Sequence, residues 1–211
     1  MPAAHEALIC DLLTALLDSW GLWSRVAGGE DEGRRWRMAY LRRVYADPRY
    51  RPFLDLVAEG AQDADLSPRL ADELERHWDE LEPWPEAPGV LGRVDLPIAV
   101  VTNCSEDLGV RAAALLGVEL AAVVTTERVG FYKPHPDTYG CALTELDVPA
   151  ERALYLAGSP YDVAGADAVS MPIVWHDRAG LRSAGDPPVR AVIDSLEPLL
   201  DHVPQRSEET R

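Results

Sequence analysis

Five short runs of unbroken hydrophobicity set the strongest limit on the fold: ALIC (7–10), LPIAVVT (96–102), LAAVVTT (120–126), ALYLAG (153–158) and PIVWH (172–176). A strand with one wet face alternates apolar and polar residues, so a strand without alternation is covered on both faces. Helical patterns separate the later runs: SEDLGVRAAALLGV, HPDTYGCALTELDV and YDVAGADAVS. Strand and helix in alternation read as βαβ units and a parallel sheet, which places the chain in the α/β class. RAVI (190–193) predicts an edge strand, SLEPLLDHV a closing helix, and the final PQRSEETR a frayed end.

The alternation fails once. Between the first and second runs lie only helical patterns, LLDSWGLW, DEGRRWRMAYLRRVY, YRPFLDLVAEGA and SPRLADELERHWDEL. Breaks fall at Gly28-Gly29, at Asp47-Pro48, at Leu66-Ser67-Pro68 and at PWPEAPG, and Ser67-Pro68 reads as an N-cap with a first-turn proline. This predicts an all-helical insertion, residues 18–86, on a core made of residues 1–17 and 87–211. Ligands of such sheets bind outside the carboxyl ends of the strands, so the insertion is expected to cap the site. Its tryptophans, Trp20, Trp23, Trp36, Trp78 and Trp84, are at helical spacing and favour packing over substrate walls.

Charge and cysteine content narrow the partners. A formal net charge of −16 opposes nucleic acid and anionic membrane surfaces. No apolar stretch approaches the ~20 residues that span a bilayer, and no basic leader precedes the first apolar run. Cys10, Cys104 and Cys141 have neither metal-motif nor disulfide spacing, and Cys104 has no basic partner in sequence, so all read as reduced thiols. The expectation is a cytoplasmic protein acting on a small molecule.

Polar residues arrive at four strand ends. Asp11 closes the first, within LICDLLTALLDSW; Thr102-Asn103 close the second. Lys133 follows the third in GFYKPHPDTY, and Ser159 and Asp162 follow the fourth in AGSPYDVAGA. Each alone has a structural explanation: a cap, a turn, a proline-stiffened loop, an acid suited to a helix start. Together at one sheet edge they read as a site. Lys133 stands out further, because the other 19 of the 20 basic residues are arginine. A position that resists so strong a bias needs a compact ammonium on a flexible stem, which the planar guanidinium cannot imitate.

These blocks, LICDLLTALLDS, IAVVTN, VGFYKPHPDTY and LYLAGSPYDVAGA, with the helical insertion after the first, resemble the haloacid dehalogenase superfamily of aspartate-nucleophile hydrolases across essentially the whole chain. The resemblance implies a Rossmann-like parallel-sheet core with an inserted helical cap. It implies Asp11 as nucleophile, Thr102 as the hydroxyl that orients the reacting group, Lys133 as balancing cation and Asp162 beside both.

Departures from the family's patterns choose among its branches. Magnesium-dependent phosphatases of the family carry a second aspartate where Leu13 stands and a Gly-Asp pair where Ala157-Gly158 stand. Mg²⁺ favours carboxylate oxygens, so these losses point to the metal-independent 2-haloacid dehalogenase branch, which uses no cofactor. In that branch Asn103 faces the leaving halide, Tyr139 matches a tyrosine, and an early cap arginine receives halide or substrate; Arg37 is the candidate and Arg42 the reserve. Ser159 replaces an asparagine, Ala157 a serine, and Thr14-Ala15 a Gly-Thr pair. Two alternatives stay open: a phosphomonoester phosphatase with a degenerate Mg²⁺ site, and a silent or repurposed small-molecule binder. A cap-mediated homodimer is an expectation by fold analogy alone.

Overall fold

The computed structural model describes residues 5–181 and 188–207. The strands are β1 (Ala7–Asp11), β2 (Ile98–Thr102), β3 (Ala122–Thr125), β4 (Ala153–Ala157), β5 (Ile173–His176) and β6 (Ala191–Ile193). They form one parallel sheet in the order β3-β2-β1-β4-β5-β6. Every residue of β1, β2, β4 and β5 is buried, which accounts for their unbroken hydrophobicity. RAVI supplies the edge strand β6, half-buried over two of its three residues.

The helices are α1 (Ser19–Ala27), α2 (Glu30–Ala46), α3 (Phe53–Asp63), α4 (Leu70–Arg76), α5 (Ala87–Leu91), α6 (Glu106–Ala114), α7 (Thr126–Val129), α8 (Pro136–Leu146) and α9 (Pro160–Ala168). Helices α1 to α4 all fall between β1 and β2. One apolar cluster joins Leu8, Cys10 and Leu156 of the sheet to Trp36, Phe53 and Trp78 of this insertion. The opposite sheet face, with Ile9, Val101 and Tyr155, packs under α8 and α9. The insertion therefore shares its core with one sheet face. Among the described residues no helix is long and apolar enough to cross a membrane.

Helix α2 shows how sequence places a site residue. Glu30, Asp31 and Glu32 sit in its first turn and Arg43 in its last, both favourable to the helix dipole. A Cβ at Gly33 would lie 2.5 Å from Ser24 Cα and 2.7 Å from Ser24 N, so only glycine lets α2 approach α1 this closely. Arg37, one turn beyond Gly33, is thereby pressed against the start of α1.

Three local expectations are corrected. SLEPLLDHV is a single 3₁₀ stretch, Glu197–Asp201, because Pro204 follows too soon for an α-helix to extend. Helix α4 begins at Leu70, and Ser67-Pro68 form the turn before it, with Leu70 N–H donating to Ser67 O at 3.1 Å. PQRSEETR is pinned at its start: Asp95 N donates to Pro204 O at 2.9 Å and Arg206 Nε to Val94 O at 3.0 Å. Its last four residues, 208–211, lie outside the described residues.

Candidate active site

Asp11 is the last residue of β1, and the chain turns sharply over its carboxylate. The N–H groups of Thr14 and Ala15 both donate to Asp11 Oδ2 at 2.9 Å. The other oxygen, Oδ1, accepts from Lys133 Nζ at 2.6 Å. Lys133 also stands 2.9 Å from Asp162 Oδ1, so one ammonium bridges two carboxylates. All three groups are buried, Asp11 at 5%, Lys133 at 4% and Asp162 at 4% exposure, and screening by solvent is weak there.

The two carboxyls are driven apart. Burial pushes Asp11 up, but the Lys133 ammonium and the two N–H donors outweigh it and hold Asp11 below its ordinary value. Asp162 suffers the same burial; Lys133 offsets part of it, the Asp11 charge adds to it, and Asp162 lies above its ordinary value. Lys133 is raised, because attraction to both carboxylates exceeds its burial cost. Opposite shifts of this kind leave Asp162 the stronger base of the pair.

Second-tier contacts fix these groups. Asn103, after β2, clamps the Lys133 backbone from both ends: Oδ1 accepts from Lys133 N at 2.8 Å and Nδ2 donates to Lys133 O at 3.3 Å. Ser159 caps α9, accepting from Asp162 N at 3.2 Å while donating to Asp162 Oδ2 at 2.8 Å. The Tyr155 hydroxyl lies between Lys133 Nζ at 3.5 Å and Asp162 Oδ1 at 3.4 Å.

Asp11, Lys133, Asp162, Asn103, Ser159 and Arg37 line one cavity of about 60 Å³ between the insertion and the sheet edge. Of the two candidate arginines, Arg37 is buried and lines the cavity, whereas Arg42 is exposed on α2. Arg37 donates to Ser19 Oγ at 2.7 Å and Thr14 Oγ1 at 3.0 Å, both neutral acceptors. Its Cζ lies 4.1 Å from the Trp20 ring centroid and 5.7 Å from that of Trp23. Burial pulls its pKa down to about 10, partly offset by the Asp11 charge, so it stays cationic at neutral pH. A buried guanidinium bonded only to hydroxyls has donors to spare, and it brings a positive charge to the cavity wall.

Two expected residues lie elsewhere. Thr102 is fully buried and its hydroxyl meets Cys104 Sγ at 3.4 Å; it does not line the cavity, because its side chain turns under the loop toward Gly109 of α6. Tyr139 is also fully buried, packed edge-on against Tyr155 at 5.2 Å and against Gly165, so it supports the sheet face opposite the cap and does not line this cavity. Asn103 lines the cavity, yet its amide is committed at both ends to Lys133, which leaves one N–H for a ligand.

Sequence reasoning missed Ser19, Tyr155 and the indole of Trp84, and it read Thr14 only as a departure. The DSW of LLDSW was the available signal for Ser19, a hydroxyl inside an apolar run close behind Asp11. Trp20 and Trp23 do line the cavity, while Trp36 and Trp78 are core, their indoles donating to Val57 O and Leu108 O at 2.8 Å.

Position 158 is where the family's phosphatases place a metal-binding aspartate. A Cβ there would overlap Asp11 Oδ2 and come within 2.7 Å of Ala15 N, so no side chain fits without displacing the turn over Asp11. Among the described residues no three His, Cys, Asp or Glu side chains are grouped to hold a metal ion.

The family model for haloacid dehalogenase-like hydrolase matches residues 22–169. The chain belongs to that family. The chain is 28% identical over 117 residues to haloacetate dehalogenase H-2 of Moraxella sp., covering 53% of this chain and 50% of that one. It is 33% identical over 114 residues to a phosphoglycolate phosphatase of Cupriavidus necator, covering 52% and 49%. The chain spans about half the length of the curated relatives it matches. Its fold resembles the L-2-haloacid dehalogenase from Xanthobacter autotrophicus, with a TM-score of 0.78 and 21% identity over 92% of this chain and 96% of that one.

Proposed function

We propose that this hydrolase acts at carbon, replacing the halide of a small 2-halo acid by hydroxyl through an ester on Asp11, without a metal ion. Residues 18–86 serve as the cap and residues 1–17 and 87–211 as the catalytic core. The observation that carries the reading is Gly158: the packing of Asp11 against it closes the position where a magnesium ligand would stand.

The chemistry follows from the site. Asp11, ionised and held by Lys133 and two N–H groups, attacks the halogen-bearing carbon. A C–O bond forms, the C–halogen bond breaks, and halide leaves with the electron pair. Halide needs no proton, so Leu13 in place of a general acid costs nothing. Arg37 receives the anion that the cavity must hold, the substrate carboxylate or the departing halide. Asp162, whose raised pKa makes it the better base of the pair, takes a proton from water as that water attacks the ester carbonyl carbon. Collapse returns the Asp11 carboxylate and releases the 2-hydroxy acid, with one proton passing to solvent. A cavity of this size suits a small organic acid. The likeness to a haloacetate dehalogenase supports the same class.

Halide release from 2-halo acids in EDTA, absent from Asp11→Asn, is the expected result. The phosphatase relative makes phosphomonoester hydrolysis the second reading. Phosphate release only with Mg²⁺ would favour it, and silence on both substrates would point to a binding role.

A further inference from the structure

The two N–H groups that hold Asp11 Oδ2 belong to consecutive peptide units, Leu13–Thr14 and Thr14–Ala15. The carbonyl of each unit accepts from a side chain that comes from neither the turn nor the sheet. Ser19 Oγ donates to Leu13 O in a short hydrogen bond. Trp84 Nε1 donates to Thr14 O at 3.0 Å. Arg37 in turn donates to Ser19 Oγ at 2.7 Å. Two chains of dipoles therefore converge on one carboxylate oxygen, one running Arg37, Ser19, peptide 13–14, Asp11, the other Trp84, peptide 14–15, Asp11. A donor on a peptide oxygen polarises its N–H and orients the whole planar unit.

Ser19 and Trp84 sit at the two crossings between core and insertion. These crossings pair with each other: Asp18 N donates to Glu82 O at 2.8 Å, Trp84 N donates to Leu16 O at 3.0 Å, and Leu17 bridges Pro83. We infer that Ser19 and Trp84 are positioning residues, which aim and polarise the peptide N–H groups that fix the Asp11 carboxylate, so that the hinge of the cap sets the nucleophile. The inference rests on Asp11 being the nucleophile.

Trp84→Phe keeps the ring and removes the indole N–H; Ser19→Ala removes the hydroxyl. Trp78→Phe is the matched control, deleting an indole bond to Leu108 O at 2.8 Å far from the turn. Two measurements are made on all three variants: titration of the Asp11 carboxyl by ¹³C NMR, and kcat and KM for halide release from a 2-halo acid. Trp84→Phe and Ser19→Ala are expected to titrate Asp11 at higher pH than the wild type and to lower kcat roughly 5–20-fold, about one hydrogen bond's worth of barrier. KM for Trp84→Phe should hold. Trp78→Phe should lose thermal stability and leave both readouts unchanged. If Trp84→Phe behaves like Trp78→Phe, with Asp11 titration and kcat at wild-type values, the inference is overturned. Absence of halide release from the wild type would instead refute the proposed reaction, and the Asp11 titration would still decide the positioning role.

Discussion

Lys133 Nζ stands 2.6 Å from Asp11 Oδ1, and the two side chains are 5% and 7% exposed. The chain's single lysine is thus spent on its best-placed aspartate, with Asp162 2.9 Å away on the other side. Removing the ammonium leaves two buried carboxylates facing each other. Lys133→Met should lower turnover at least 100-fold and, as one half of a broken buried ion pair, cost about 3–5 kcal/mol of stability. Lys133→Arg should not rescue it, since the guanidinium fork cannot occupy the same point between two oxygens. Chemical denaturation together with halide release checks both halves.

The divided carboxyls give a pH signature. In the proposed reaction Asp162 must be ionised to accept a proton from water, and its pKa lies above the ordinary 3.8; that of Asp11 lies below it. As pH falls, ester hydrolysis should fail first while attack by Asp11 persists. Between the two values a rapid mix should give one halide per enzyme and then stop. A profile in which burst and turnover fall together would refute the division of roles. Stability follows the signs of the shifts. The contribution of Asp11 is present above pH 3.8 and lost as pH falls through its lower folded value. That of Lys133, raised from 10.5, is fully present below that pH and lost as pH rises through the folded value.

Arg37 predicts anion binding without turnover. Bromide or a non-halogenated short acid should quench the fluorescence of Trp20 and Trp23, whose rings lie against the guanidinium. At 100 times its Kd such a ligand should add about 2.7 kcal/mol of stability. Arg37→Met should lose both effects, and Arg42→Met, on the exposed side of α2, should keep them. Equal quenching in the wild type and Arg37→Met would remove Arg37 from the anion site.

Much of the site was legible because it lies where strands end. Asp11, Asn103, Lys133, Ser159 and Asp162 are read off the carboxyl edge of an α/β sheet, and the lone lysine sharpened the choice. The placement of Thr102 and Tyr139 was not, because a motif gives position and not orientation: neither side chain lines this cavity. Ser19 and Trp84 were illegible for a different reason. Their contacts exist only because residues 17–18 pair with residues 82–83 across the whole insertion, a non-local register that no local pattern encodes. The closing helix failed for a local one, Pro204 cutting it to one 3₁₀ stretch.

Gly158 should tolerate no side chain. Gly158→Ala pushes on Asp11 Oδ2 and the Ala15 amide, and a displacement of about 1 Å at a nucleophile costs on the order of 100-fold in kcat. Gly158→Asp, which restores the phosphatase pattern, should produce an inactive protein and no Mg²⁺-dependent phosphatase. A gain of phosphate release in that variant, or wild-type kcat in Gly158→Ala, would contradict the packing argument.

Oxygen tracing in a single turnover shows whether the reaction passes through an ester on Asp11. Excess enzyme is mixed with a 2-halo acid in H₂¹⁸O, and the product and the peptide containing Asp11 are weighed by mass spectrometry. Water that attacks the ester carbonyl should leave ¹⁸O in Asp11 and a first-turnover product hydroxyl without label. Label in that product hydroxyl with none in Asp11 would mean that water attacks the substrate carbon directly and that no ester forms on Asp11.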